Sequence, residues 1–336
     1  MGDPRNEYLK DVNFNTIEIS EYPQIAFLCG GEPGTLTDSD DSGAIKQLLP
    51  FLRSRPKQYF PSIRSFISQL LTIRNSNLRC QNAEDIKDWN SYSAYEDLIE
   101  FEKDIAHICK AIVLFVESPG SIAELGSFTI IPEITKKLII FVHSEFSDAT
   151  SFISLGPIKR IQNEFNDKIH FIPWEMEKRS INGESVSVVL ENSMKHWGPY
   201  ACDAIKDFVD TKIKIDHSSE ENSRTKETLF IHDIAILFKA ITTDEIYDYF
   251  KFIKHQVDKK TIERSIFCLE KLDLIRPVNR GHKTYYVPDD PVSNGYLNLH
   301  SGKDSARLAM QLSAYYEHPS QLARREAISY MMGGRK

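Results

Sequence analysis

The 336-residue sequence has little of what marks several large protein classes. Its five cysteines, Cys29, Cys80, Cys109, Cys202 and Cys268, are odd in number and scattered without CxxC spacing. That argues against a disulfide framework and against a cysteine-ligated zinc, and they read as small buried hydrophobes. The ten histidines are as dispersed, with no HExxH or paired-ligand spacing, so no metal site and no cofactor is expected. No apolar run approaches the roughly 20 residues that cross a bilayer. The start MGDPRNEYLKDVNFNT lacks the basic and apolar regions of a signal peptide, and its Met-Gly pair is not followed by the Ser or Thr that myristoylation prefers. The expectation is a cytoplasmic protein without membrane contact. Internal repeats and low-complexity tracts are absent as well. Positive charge is not in surplus: the net charge is -7, so nucleic acid repels the chain as a whole and any DNA contact has to come from a local basic patch.

What is present is enough apolar residue, 41%, to build ordinary cores over a length that favours two domains. The first half alternates short apolar strands with amphipathic helices, the pattern of a parallel sheet covered on both faces. IAFLCGG (Ile25 to Gly31) reads as a strand ending in a glycine turn, SGAIKQLLPFLRS as a helix, and QYFP as the end of a second strand. AYEDLIEFEKDIAHICK carries Leu98, Phe101, Ile105 and Ile108 at helical spacing and feeds into the strand AIVLFV; KLIIFVH and KIHFIPW follow as further strands. The expected fold is a doubly wound, Rossmann- or flavodoxin-like sheet over residues 1–209. Residues 210–228, DTKIKIDHSSEENSRTKET, lose apolar periodicity and read as a linker. Residues 229–300 then offer two short helices, a third with Ile262, Ile266, Leu269 and Leu272 on one face, and a hairpin turning at Asn279 to Gly281. That order suggests a winged helix-turn-helix, followed by a helical tail over 301–336.

The densest chemistry lies in VLFVESPGSIAELGSF, Val113 to Phe128. Ligands of open parallel sheets bind outside the carboxyl ends of the strands, and this turn is such an end. Pro119 and Gly120 make the reversal. The amides of Gly120, Ser121 and Ile122 are expected to point outward at a helix N-terminus that favours an anion, with the hydroxyls of Ser118 and Ser121 beside them. Gly30 and Gly31, at the neighbouring strand end, let a nucleotide approach the backbone. Glu124 is placed in the first helical turn, where it either complements the helix dipole or acts as a nucleophile at the anomeric carbon of a ribose, as in retaining glycosidases. Glu117 is either a second carboxylate for that chemistry or a cap or ion-pair partner.

These residues carry a resemblance. AIVLFVESPGSIAELGSF resembles the motif of the nucleoside 2-deoxyribosyltransferase superfamily, in which a strand end, a small-residue turn and an E-L-G helix start supply the nucleophilic glutamate. With IAFLCGG, KLIIFVH and SFISLGPIKRI, the match is closer to the N-glycosidase effectors of bacterial retron defence systems, encoded beside a reverse transcriptase and its msDNA. The resemblance covers about Ile25 to Trp174 and implies Glu124 as nucleophile, Gly30 and Gly31 as the nucleotide-facing turn, and Ser118, Gly120 and Ser121 as the phosphate-facing turn. Glu102 or Asp104 matches the acidic residue used near the base or ribose. Glu117 stands where deoxyribosyltransferases commonly carry Asp, which favours hydrolysis over transfer. The implied substrate is a nucleotide, NAD+ foremost, because nicotinamide leaves a pyridinium as a neutral molecule and needs no general acid. The implied partners are the reverse transcriptase and msDNA, which hold the effector inactive, in an assembly of higher order.

In the second domain, Lys259, Lys260 and Arg264 begin the third helix, and Arg276, Arg280, His282 and Lys283 populate the hairpin, where a winged helix meets phosphates. Glu263, Glu270 and Asp273 interleave with them, and Lys159 and Arg160 are either a subunit contact or a solvated face. Two rival readings remain. One is a nucleoside 5'-monophosphate phosphoribohydrolase, whose P-G-G-x-G-T pattern is incomplete here. The other is a DNA-binding regulator that senses a nucleotide without hydrolysing it.

Overall fold

The structure is a computed structural model that describes residues 2–37, 58–74, 77–86, 95–147, 150–211, 220–299 and 305–333, without the side chains of 133, 166, 220 and 221. The helix expected over 42–54 lies outside the described residues. Among those described, the chain begins α1 (Pro4–Leu9), β1 (Ile25–Cys29), β2 (Leu36–Thr37), β3 (Gln58–Tyr59), α2 (Ile63–Arg74), β4 (Arg79–Asn82), α3 (Leu98–Ile108) and β5 (Ala111–Val116). It continues α4 (Pro119–Phe128), α5 (Pro132–Lys137), β6 (Leu138–His143), α6 (Lys159–Glu164), β7 (Ile169–Ile172), β8 (Met176–Ile181), β9 (Glu184–Val189) and α7 (Glu191–Asp210). Last come α8 (Glu220–Phe238), α9 (Thr243–Phe252), α10 (Lys259–Lys271), β10 (Ile275–Arg280), β11 (Lys283–Pro288), α11 (Ser305–Tyr316) and α12 (Leu322–Gly333).

Contacts divide the chain into two compact units, one of Gln24–Lys87 and Cys109–Ile213, the other of Met1–Pro23, Asp88–Ile108 and Lys214–Lys336. The first holds a five-stranded parallel sheet in the order β4-β1-β5-β6-β7, flanked by helices. Register pairs Leu28 with Val113 and Val113 with Ile139, which lines up one apolar layer across three strands. Ala26, Leu28, Val113, Phe115, Ile139 and Phe141 in that layer pack against Ile63, Ile67 and Leu71 of α2 and Ala201, Ile205 and Val209 of α7. The alternate residues Phe27, Ile112, Leu114, Ile140 and Val142 are also buried, so these strands read as unbroken apolar runs rather than as alternation. From β1 the chain steps to one side for β4 and to the other for β5, which puts the topological switch point between β1 and β5.

Two expectations change. QYFP does not enter the main sheet: β3 pairs antiparallel with β2, and the sheet position beside β1 belongs to β4, RCQN. All four β4 residues are half-buried, which is why this edge strand lacks the apolar signature of the others. The unit also contains the hairpin β8–β9, whose Asn182 and Gly183 adopt φ 49° and 83°, the positive values that a two-residue hairpin turn requires.

The second unit joins α1 and α3 to α8–α12 and the hairpin β10–β11. Residues 220–228, expected as linker, are the first half of α8. Their periodicity is hidden because what they bury is polar: Asn222, Thr225, Lys226 and Thr228 are each buried, and Thr228 hydrogen-bonds Ser265 at 2.9 Å. A Thr242–Glu245 capping box opens α9. Register pairs Arg280 with Lys283, so the hairpin turns on Gly281 (φ 61°) and His282, two residues later than expected. Ala327 and Met331 of α12 pack on Val278, Tyr285 and Val287 of the hairpin. All five cysteines are free, four buried and Cys80 half-buried. Among the described residues no helix is long and apolar enough to cross a membrane.

Candidate active site

The switch point brings the end of β1, Gly30–Gly31, beside the end of β5, Glu117–Ser118. A Cβ on Gly30 would lie 3.0 Å from Phe115 Cβ and 3.1 Å from Arg64 Cδ, and one on Gly31 would lie 2.9 Å from the side chains of Glu117 and Ser62. In this structure the missing side chains therefore admit the protein's own neighbours, where the sequence suggested an open approach for a nucleotide. Glu117 fills that space. One carboxylate oxygen accepts the N–H groups of Gly31 and Arg64, both at 3.1 Å, and the other accepts that of Ile63 at 2.9 Å. Ile63 and Arg64 begin α2, so Glu117 caps that helix from another element. Burial pushes its carboxyl up, against the pull of those amides and of the Arg64 charge. Both oxygens are engaged, and the cap, one of the two roles open to Glu117, is present.

The start of α4 also differs from expectation. Ser118 is the N-cap and Pro119 the first helical residue. Ser121 N–H donates to Ser118 Oγ at 3.1 Å, Ser121 Oγ accepts the N–H groups of Glu117 (3.0 Å) and Ser118 (2.9 Å), and Ile122 N–H donates to Ser118 O at 3.1 Å. Ser118 Oγ also reaches Gly30 O at 3.3 Å, tying the two strand ends together. The Ser118 and Ser121 hydroxyls and the Ser121 and Ile122 amides, expected to face an anion, are thus occupied within the start of the helix. Gly120 is exposed, and around its Cβ position only Ser118 Oγ, at 3.7 Å, comes within contact. Because α4 starts at Pro119, Glu124 lies in its second turn, beyond the first, where dipole complementarity is concentrated.

Glu124 is half-buried, and its Oε2 is buried with no hydrogen-bond partner. Burial, then the charge of Glu84, push its carboxyl up to about 7, against the opposing charge of Arg64. A buried carboxylate oxygen without a partner, on a carboxyl raised in this way, makes Glu124 the candidate functional group of the turn. Arg64 and Glu84 are the residues that sequence reasoning missed. The Arg64 side chain is fully buried; its guanidinium donates to Leu28 O at 3.3 Å, to Gly31 O and to Glu84 Oε2. Glu84 sits on the short turn Ala83–Asp85 that follows β4. The signal for Arg64 was its place in the buried face of α2 with Ile63, Ile67 and Leu71, since an arginine there needs a specific partner. Glu84 carried no such signal.

Asp104 belongs to the other unit, where its Oδ2 accepts from Tyr95 Oη at 3.0 Å and from Arg224 at 2.9 Å. Glu102, on the same helix, is buried. Of the basic residues, Lys260 pairs with Glu96 at 3.1 Å and Arg264 pairs with Glu100 beneath the ring of Tyr95. Lys259 and Lys283 are exposed. Arg280 lies 5.0 Å from the ring centroid of Tyr330, on an open groove of about 560 Å³ that Arg325 and Leu322 also line.

Residues 61–277 match the sequence profile of the STM3845 retron effector protein family. Over 153 residues, 46% of this chain and 42% of the relative, the sequence is 27% identical to the Escherichia coli protein called "Retron Ec73 putative ribosyltransferase/DNA-binding protein". Over 71 residues, 21% of this chain and 23% of the relative, it is 39% identical to "Retron Ec86 putative ribosyltransferase/DNA-binding protein", also of Escherichia coli. The chain thus aligns with less than half the length of either relative. The matched profile takes in Arg64, Glu84, Glu117 and Glu124, and it spans more than half of the 336 residues: the chain belongs to the STM3845 retron effector protein family.

Proposed function

We propose that this chain is the toxic effector of a retron anti-phage defence system and that it hydrolyses the N-glycosidic bond of a nucleotide, NAD+ in the first place. The observation that carries the reading is the buried, unpartnered Oε2 of Glu124 beside the switch point of the sheet. The names of the two relatives, which include ribosyltransferase, support the same class of chemistry. Ionised Glu124 attacks or stabilises C1' of the nicotinamide ribose. As the C1'–N bond breaks, its electron pair returns to the pyridinium nitrogen and neutral nicotinamide departs without a general acid. Water then adds at C1', giving ADP-ribose and one proton. Anchoring of the diphosphate on the Gly120 and Ser121 amides requires the Ser118–Ser121 cap to open on binding, whereas the role of Glu124 does not depend on it.

The second unit supplies regulation. Helices α8 to α10 with the hairpin β10–β11 are read as a winged helix, and exposed Lys259 and Lys283, with Arg280, as its phosphate-facing groups. Lys260 and Arg264, committed to acidic neighbours, contribute less. Reverse transcriptase and msDNA are the partners that hold the effector silent until infection.

The test is to incubate purified, partner-free protein with NAD+, ATP, deoxynucleotides and a nucleoside 5'-monophosphate, and to separate the products by chromatography. Nicotinamide and ADP-ribose are expected from NAD+. Free base from the monophosphate alone would favour the phosphoribohydrolase, and tight binding of intact nucleotide without release of base would favour the sensor. For the second unit, msDNA affinity should fall steeply with salt, and a flat response would remove the phosphate contact.

A further inference from the structure

Arg280 of β10 and residues of α12 line an open groove of about 560 Å³ that no part of the proposed reaction uses. Its volume falls within the roughly 300–1,000 Å³ of ligand-sized clefts. Helix α12 packs on the hairpin through Ala323, Ala327, Ile328 and Met331. A second stripe of the same helix, Leu322, Arg325, Glu326, Ser329 and Tyr330, recurs at helical spacing and lines the groove. There Tyr330 is 51% exposed, and the Arg280 guanidinium lies 5.0 Å from the centre of its ring. Arg276, 5.9 Å from the same ring, donates to Met331 O at 3.1 Å and ties the helix end to the hairpin. We propose that this groove holds an unpaired nucleotide of a single nucleic-acid strand: its base stacks on the Tyr330–Arg280 platform, and the flanking phosphates meet Arg280 and Arg325. The proposal rests on, and deepens, the reading of the second unit as the nucleic-acid part of the effector.

The kind of partner follows from the lining. An exposed aromatic ring beside guanidinium groups is what single strands use, because every base offers a π-face once it is unstacked. A duplex keeps its bases paired and brings only phosphates to such a surface. An acidic peptide brings charge for the arginines but no planar group for the ring. The charge balance suits a phosphate backbone: Arg280 and Arg325 outweigh Glu326 in the lining, and exposed Lys283 pairs in register with Arg280 at the hairpin turn. Arg325 does have an acidic partner, Glu317, at 2.7 Å, but the two side chains are 43% and 69% exposed. Water screens such a pair, and a phosphate displaces the carboxylate at little cost. The rival surface at the start of α10 is already engaged, since Lys260 pairs with Glu96 and Arg264 with Glu100.

The experiment measures binding of the full chain by fluorescence anisotropy to a labelled pyrimidine strand of about 12 nucleotides, made as DNA and as RNA, and to a blunt DNA duplex of the same length. Tyr330→Ala should weaken single-strand binding about five- to 150-fold and leave duplex binding unchanged. Tyr330→Phe, which keeps the ring, should bind the strand like the unsubstituted chain. Arg325→Gln should lower the slope of log affinity against log salt by about 0.7, the share of one phosphate on a single strand. Its site is as open as that of Tyr330, so it reports independently if the alanine variant does not fold. The tighter of the DNA and RNA strands identifies the source that the groove serves. Single-strand affinity unchanged in folded Tyr330→Ala overturns the groove, and so does an equal loss for strand and duplex, which marks a phosphate surface without a stacked base. Polyglutamate that competes as well as the strand assigns the groove to acidic peptides and overturns it too. In each of these cases a duplex still bound by the unsubstituted chain leaves the nucleic-acid reading of the second unit standing, whereas a chain that binds neither strand nor duplex overturns both.

Discussion

Two half-buried glutamates, Glu245 at the start of α9 and Glu124 in α4, are treated in opposite ways. Glu245 is paired with Arg5 at 2.7 Å and with Arg324, and accepts the Thr242 N–H at 3.0 Å. Burial alone would raise its carboxyl, but the Arg324 and Arg5 charges hold it below the ordinary carboxylate value. Glu124 has an oxygen without a partner, and its carboxyl stands at about 7. The first carboxylate is built to hold the fold. The second is kept in a state that the fold itself does not favour, which is what a group reserved for a ligand looks like.

The difference can be broken at several points. Glu245→Ala strips the carboxylate from Arg324 and one of two from Arg5, which keeps Asp3; both arginines are buried, and a helix cap is lost as well. It should lower the free energy of urea unfolding by about 3–5 kcal/mol, and a loss under about 1 kcal/mol would mean the network is not structural. Glu117→Ala leaves three amides without an acceptor. It should be destabilised by about 2–3 kcal/mol in the same measurement, as a scaffold residue rather than a reacting one.

Glu124→Gln should move stability the other way. Its carboxyl rises from 4.5 in the unfolded chain to about 7 when folded, so the folded state binds more protons between those values and stability falls as pH rises through that window. Removing the group should therefore add about 1–2 kcal/mol at pH values above 7, after allowance for solvent screening. The gain should vanish in acid, below the unfolded value. A variant no more stable than wild type at alkaline pH would show that Glu124 is not strained by its site. Ser118→Ala, which opens the capping box of α4, should lose about 1 kcal/mol, read as a small drop in melting temperature.

Much of the sheet was legible because its central strands are apolar on both faces and separated by glycine and proline turns, and the crevice followed from strand ends alone. The edge strand β4 was not, since RCQN is half-buried and carries no apolar run. Nor was the first half of α8, whose buried side chains are polar. The hairpin turn Asn182–Gly183 did carry a strong local signal, yet residues 175–209 entered no strand expectation. At the site, the residue types of the Glu117–Glu124 turn marked the place, but not how its hydrogen bonds would be spent: spacing cannot tell whether a serine amide faces a phosphate or a neighbouring hydroxyl. Arg64 and Glu84 meet only through the fold, across the end of β1. The pairing of Asp104 with Arg224, 120 positions away, likewise leaves no local mark in the sequence.

The most direct measurement is the rate of NAD+ consumption by partner-free protein, wild type against Glu124→Gln, with folding checked on the same samples. A fall of about a thousandfold or more in kcat, in a variant at least as stable as wild type, is the predicted result. Nicotinamide released by the variant at the wild-type rate would contradict it.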